Sequence, residues 1–369
     1  APDFDRSTLL ASIADRVIVP TYTDFAARAD ALASAAAAWA SDPEDASLRT
    51  AARQAWVEAA EVWQIAELTQ VGPAGASGAS GRVGGLGLRN EIYSWPLDNP
   101  CRVDQELFSN AFDQDGYFAS KLDNTYGLDA LEYVLFVDGV ENECPPQVDL
   151  NADELWDTLD ERTITARRAA YAEVVAAKLA ADADRLLTEW TGGFRDAFVN
   201  AGQGGSPYRS AQQALDEVFA AMFYLELRTV DLKLGGPAGL NARCLETICP
   251  QDVESLRADR SRTFIRANVE AFAQMYRGGP ADDAAAVGFD DYLTAAGADD
   301  LVQRLGTRLD TAVAAVQDTE PPMQEALTSA KAEIDAAYDA VSELMILVET
   351  EFVSDLALQI PREGAADND

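Results

Sequence analysis

Three features of the 369-residue sequence predict an all-helical protein. Apolar residues recur at helical spacing almost throughout, as in Leu9, Leu10, Ile13 and Val17 and again in Leu32, Ala35 and Trp39. No convincing run alternates apolar and polar residues with the period of two that marks a half-buried strand. The word Gly72-Pro73-Ala74-Gly75 returns 164 positions later as Gly236-Pro237-Ala238-Gly239, each time closing a long helical pattern. The repeat points to two related four-helix-bundle-like halves, with a boundary near Asp149 to Asp153, hence domains 1–150 and 151–369. The length fits two domains of roughly one to two hundred residues each.

The elements follow in order. The first helical pattern runs through Val17 and must kink or divide at Pro20, which has no N–H and clashes with the preceding turn. Further helices are predicted from about Ala46 to Val71, Ala152 to Trp190, Ser210 to Leu234, Asp252 to Tyr276, Ala298 to Val316 and Met323 to Leu356. The segments Gly72 to Asp98 and Gly202 to Pro207 are rich in Gly or Ser and read as loops, the first long enough to have a role of its own. Its stretch GPAGASGASGRVGGLG lacks the Lys-Ser/Thr of a phosphate-binding loop and no strand precedes it, so no nucleotide site is expected.

Composition excludes several functions. There are 63 Asp+Glu against 28 Lys+Arg, a formal charge of −35, which phosphate backbones and anionic headgroups would repel. Nucleic acid is therefore not an expected partner, and the same charge also solubilises a surface or adapts it to salt. The chain has no His. That removes Ser-His-Asp and Cys-His hydrolases, HExxH zinc proteases and His-ligated haem, and leaves oxygen or sulfur as metal ligands. No apolar run reaches the ~18 to 20 residues that span a bilayer. The start Ala1-Pro2-Asp3, without Met, is what remains after an export signal is removed or a chain is trimmed. Of the four Cys, Cys244 and Cys249 lie close together before Pro250, and Cys101 and Cys144 flank a loop-rich region. They fit two disulfides in an oxidising compartment better than a four-thiolate zinc site, for which paired CxxC spacing is missing.

The stretch Asp123 to Val137, DNTYGLDALEYVLFV, carries the chemistry. Asn124 or Thr125 is placed to cap a helix that is apolar on every side, and such a helix is buried. Its only carboxylates, Asp129 and Glu132, stand three apart and therefore on one face. Burying an unpaired carboxylate costs several kcal/mol, so the pair calls for compensation. Arg89, Arg102 or Arg266 could supply a salt bridge; one acid could keep a proton, its pKa raised by burial and by its neighbour; or a hard cation such as iron(III), Ca²⁺, Mg²⁺ or Mn²⁺ could bind between oxygens.

The segment Gly127-Leu128-Asp129-Ala130-Leu131-Glu132-Tyr133-Val134-Leu135-Phe136 resembles the GxHxxE motif of the imelysin-like family, with Asp129 where the family usually has His. Trp56, Trp63 and Glu67 before Gly72-Pro73, Tyr93-Ser94-Trp95-Pro96, Pro100-Cys101-Arg102-Val103-Asp104-Gln105, Tyr276-Arg277-Gly278-Gly279 and a last helix ending near Leu356 to Ile360 extend the resemblance over most of the chain. It implies exported, often lipid-anchored bacterial proteins of two related helical bundles, linked to iron uptake, with the motif close to the contact between bundles and a founding name taken from a peptidase. Peptidase activity is not carried over, because a zinc peptidase needs imidazole or thiolate ligands and this chain offers no His. Carboxylate in place of imidazole makes the position harder, which suits iron(III), Ca²⁺ or Mg²⁺ better than zinc; a site that has lost its metal is equally compatible.

The expected metal ligands are accordingly Asp129, Glu132 and Glu67. The 164-residue offset pairs Glu67 with Asp231. Pairing the Gly139 end of the motif helix with Gly278 sets Asp129 opposite Asn268, on a polar stretch from Arg266 to Glu270. Glu91, Arg89, Asp104 and Asp231 complete the candidates, while Trp56 and Trp63, seven apart, read as core anchors. The expected partners are a metal ion and a membrane transporter or receptor, at the cell surface or in the periplasm. A membrane would be touched only through a lipid anchor.

Overall fold

The computed structural model describes residues 4–77 and 83–359. The Ala1-Pro2-Asp3 start, Gly78 to Arg82 of the glycine-rich segment and Ile360 of the last helix lie outside the described residues. The protein is all-helical, with no strand among the described residues. Its helices include α1 (Arg6–Ile13), α2 (Val19–Ser41), α3 (Ala46–Ala66), α4 (Leu88–Ile92), α5 (Pro100–Ser109) and α6 (Leu128–Phe136). They are followed by α7 (Glu161–Glu189), α8 (Ala211–Met222), α9 (Ser261–Arg277), α10 (Phe289–Ala296), α11 (Asp299–Ala315) and α12 (Lys331–Leu347).

The chain forms two compact units that are not consecutive in sequence. One comprises Ala1–Thr23, Glu61–Leu86 and Thr188–Asp369; the other Asp24–Ala60 and Gly87–Leu187. A cut at residue 150 divides the chain by its repeat, whereas compactness groups the N-terminal residues with the C-terminal half. Three of the four boundaries fall inside α2, α3 and α7, and the fourth lies between Leu86 and Gly87, just before α4.

The smaller unit is organised around α6. Every residue from Leu128 to Leu135 is buried, as a helix apolar all round requires. The indole of Trp56 donates to the carbonyl of Leu128 at 2.8 Å, fixing the start of α6. At its other end Arg49 and Arg53 donate to the carbonyl of Leu135 at 2.9 and 2.7 Å, placing cations where a helix leaves its last carbonyls unsatisfied. Neither Asn124 nor Thr125 caps α6. Asp123–Thr125 forms a 3₁₀ turn of its own, and Gly127 precedes the helix with φ +92°. A methyl group on Gly127 would lie 2.7 Å from the Ile92 carbonyl, so the close approach of α4 demands glycine there. Cys101–Cys144 ties α5 to the segment after α6.

The larger unit departs most from the sequence expectation. The chain does divide before Pro20: a π-helical turn, Ala14–Ile18, separates α1 from α2, and Pro20 falls in the first turn of α2, where no N–H is needed. Of three more π-helical segments, Leu225–Gly235 and Val348–Phe352 interrupt patterns that read as unbroken helices, and Trp190–Phe194 continues the chain where a predicted helix ends. The expected helix to Val71 stops at Ala66, because Val71 is extended and Gly72 takes φ +62°. Two others begin late, at Glu161 and Ser261, and the last one breaks at Ala330. The predicted loop from Gly72 to Asp98 contains α4 and a 3₁₀ turn at Gly72–Ala74. Trp63 and Trp190 are fully buried core anchors, as is Trp56 in the smaller unit. Cys244–Cys249 closes the second disulfide.

Candidate functional site

In the smaller unit, Asp129 and Glu132 are both buried, 8% and 6% exposed. Asp129 accepts from Ser94, whose hydroxyl donates to it closely and whose amide does so at 3.5 Å. Among the described residues no Lys or Arg forms an ion pair with it. Burial raises its pKa to about 7, the Ser94 bonds oppose that rise, and the like charge of Asp98 adds to it. The sequence reading allowed for a retained proton, but the neighbouring charge that favours it is Asp98.

Of the expected cationic partners, Arg89 and Arg102 lie in the smaller unit and Arg266 in the larger. Arg89 donates to the carbonyl of Trp95 at 3.0 Å and to Asn90 at 3.3 Å. Arg102 bonds Gln105, and Arg266, in the larger unit, pairs loosely with Glu270 of its own helix at 3.9 Å. Glu91 is a salt-bridge partner of Lys178 at 2.7 Å, and Lys178 also holds Asp182. Asp104 is fully buried beneath the Tyr133 hydroxyl, which donates to it at 2.8 Å, and the Glu143 amide, also at 2.8 Å. Its pKa rises to about 6 because burial outweighs those bonds.

The larger unit holds the remaining candidates. Glu67 is fully buried and accepts from the indole of Trp63 at 2.7 Å and the amide of Gln70 at 2.9 Å. Asp231 is half-buried in the π-helical segment, where its carbonyl accepts from Asn241. Asn268 belongs to a network that spacing did not reveal. Its side-chain oxygen accepts from Lys233 at 2.8 Å and Thr229 at 3.1 Å, and its nitrogen donates to the Gln64 carbonyl at 2.7 Å. Fully buried Lys233 also donates to Gln64 Oε1 at 2.6 Å and lies 3.0 Å from buried Glu254. The Gln64 Nε2 amide finds no acceptor among the described residues.

Among the described residues no three acidic, Cys or His side chains gather into a group able to hold a metal ion. All four Cys are in disulfides, which removes the thiolate zinc reading. Ser94 and Asp98 are the residues that the acid-spacing argument missed. The Tyr93-Ser94-Trp95-Pro96 motif was visible, but a hydroxyl 35 positions from its carboxylate leaves no periodic signal.

Fold and site together define an all-helical protein whose motif helix buries an acid held by neutral donors. The chain belongs to the imelysin family: the family model described as Imelysin, peptidase M75, matches residues 18–348. It is 25% identical over 277 residues to Iron-regulated protein A of Synechococcus elongatus, a match that takes in 74% of this chain and 64% of that protein. The chain thus aligns with less than two thirds of that relative. The fold is shared with an imelysin-like protein from Psychrobacter arcticum (TM-score 0.69, 17% identity, 97% of each chain). A structure described as an iron-regulated protein A precursor from Parabacteroides distasonis also shares it (TM-score 0.71, 17% identity, 95% of each chain).

Proposed function

We propose that the protein serves bacterial iron acquisition or handling outside the cytoplasm, presenting Asp129 to a hard cation, iron(III) favoured, as cargo. The observation that carries this reading is a buried carboxylate with neutral donors and no cationic side chain paired to it. Such a group gains most from an arriving cation, which would relieve the cost that burial imposes on its charge. A carboxylate with a hydroxyl neighbour suits hard ions that prefer oxygen. With no cluster of three ligand side chains among the described residues, water or the cargo's own ligands would complete the coordination, Glu132 remaining the nearest acid along the helix. Family membership and a relative named for iron regulation support the iron theme. Two disulfides suit an oxidising compartment, so the periplasm or cell surface, with or without a lipid anchor, is the location proposed. A transporter or receptor would then receive the ion.

A peptidase mechanism finds no imidazole to hold zinc or move protons. The competing reading is a scaffold in which Asp129 stays protonated beside Ser94, burial and the charge of Asp98 favouring the proton while the Ser94 bonds oppose it. Metal content and melting temperature of the untagged protein separate the two, measured with iron(III) kept soluble by a weak chelator and with Ca²⁺. Cargo binding predicts uptake and a rise in Tm for the wild type that Asp129→Asn loses; equal uptake and stabilisation in both proteins would remove Asp129 from any site.

A further inference from the structure

Within the larger unit, one side chain bonds both ends of the glycine-rich segment. Glu217, buried on α8, accepts from the Gly72 amide at 2.9 Å through one oxygen. Through the other it accepts from the Val83 amide at 3.3 Å and the Tyr208 hydroxyl at 2.8 Å. The two stems also meet directly, the Leu86 amide donating to the Pro73 carbonyl at 3.2 Å. Between them stands the ring of Phe194. Gly72 and Gly84 both have positive φ, +62° and +69°; a methyl group on Gly72 would overlap that ring, and one on Gly84 would lie 2.8 Å from it. Only glycine accepts both the backbone angle and the approach.

Phe194 ends the π-helical segment Trp190–Phe194, directly after Gly192 and Gly193. Gly193 has φ +143°, and a methyl group on either glycine would meet nothing within 4 Å. A wide turn that contains two glycines in open space can change its winding at small steric cost, and π-turns are frequent where helices carry function. Tyr208 links ring to carboxylate, since it packs edge-on against Phe194 at 6.2 Å while its hydroxyl bonds Glu217.

We propose that Phe194 and Glu217 form a latch on the neck of the glycine-rich segment, with Gly192-Gly193 as its hinge. In the latched state the ring fills the gap between the two stems and the carboxylate bonds both. Rewinding of the 190–194 turn withdraws the ring and frees both stems in one step. The latch rests on residues 72–77 and 83–86 and is independent of the iron reading.

Amide hydrogen exchange on the full-length protein tests it. Phe194→Ala is expected to speed exchange at Gly72, Val83 and Leu86 together, by about tenfold for the loss of roughly one hydrogen bond's worth of protection, while core amides of α12 keep their rates. Glu217→Gln, which keeps the shape of the side chain, should speed the same amides, and the double variant should add less than the two singles combined because both act on one opening. Phe194→Leu, which keeps apolar volume, serves if the alanine variant fails to fold. A change at one stem only, full additivity, unchanged exchange, or an equal rise at the α12 amides would each overturn the proposal.

Discussion

Two buried polar clusters meet the same physical problem in different ways. In the larger unit Lys233 is taken fully out of water, where it donates to Gln64 and Asn268 and lies 3.0 Å from the carboxylate of Glu254. In the smaller unit Asp129 is nearly as buried, yet its donors are the hydroxyl and amide of Ser94, and the nearby Asp98 adds charge of its own sign. The first arrangement satisfies its charge internally and holds helices together. The second leaves a carboxylate whose charged form costs free energy, and that residual cost is available to a ligand or a proton. Burial alone therefore does not mark a functional acid; the difference lies in whether a counter-charge is already in place.

The largest effect that would test this contrast is removal of the counter-charge where it exists. Lys233→Met should destabilise the protein by about 3–5 kcal/mol, since it removes a fully buried cation that lies 3.0 Å from Glu254 and bonds Gln64 and Asn268. Lys233→Met with Glu254→Leu should recover part of the loss, because the ion pair is then replaced as a whole by apolar side chains. Denaturant unfolding monitored by circular dichroism reads both; a loss below about 1 kcal/mol for the single variant would show that the network is not the satisfied partner in the comparison.

Next comes Asp129. Its folded pKa of about 7 lies above its ordinary value of 3.8, so between those values the folded state binds the extra proton. Stability should therefore fall as pH rises from about 4 to about 7 and level off above. In metal-free buffer the wild type should lose up to a few kcal/mol relative to Asp129→Asn across that window. A constant difference between the two proteins would show that Asp129 is as well satisfied as Lys233. The smallest effect calibrates the scale: Arg266→Ala removes a half-exposed pair with Glu270 at 3.9 Å and should change stability by no more than about 0.5 kcal/mol in the same unfolding measurement.

Much of this was legible in the sequence because it depends on short-range pattern. Helical period without alternation fixes an all-α protein, and an all-apolar rod from Leu128 to Leu135 buries whatever acids it carries. Cys244 and Cys249 pair across five positions, and Cys101 and Cys144 across 43. The π-helical segments were not legible: one extra residue per turn barely alters the apolar period, so Leu225–Gly235 reads as ordinary helix. The partner of Asp129 was hidden for a related reason, since Ser94 reaches it through the fold and not along a helix face.

The sequence by itself thus determined the helical class, the family motif, the disulfide pairs and the burial of Asp129 and Glu132, because each follows from residue spacing and the cost of wetting apolar surface. Only the tertiary structure decided which buried charges have partners. Lys233 meets Asn268 and Gln64 across 35 and 169 positions, and Glu217 meets Gly72 across 145. Hydrogen bonds act over about 3 Å in space, and no periodicity along the chain encodes which distant residues will arrive there.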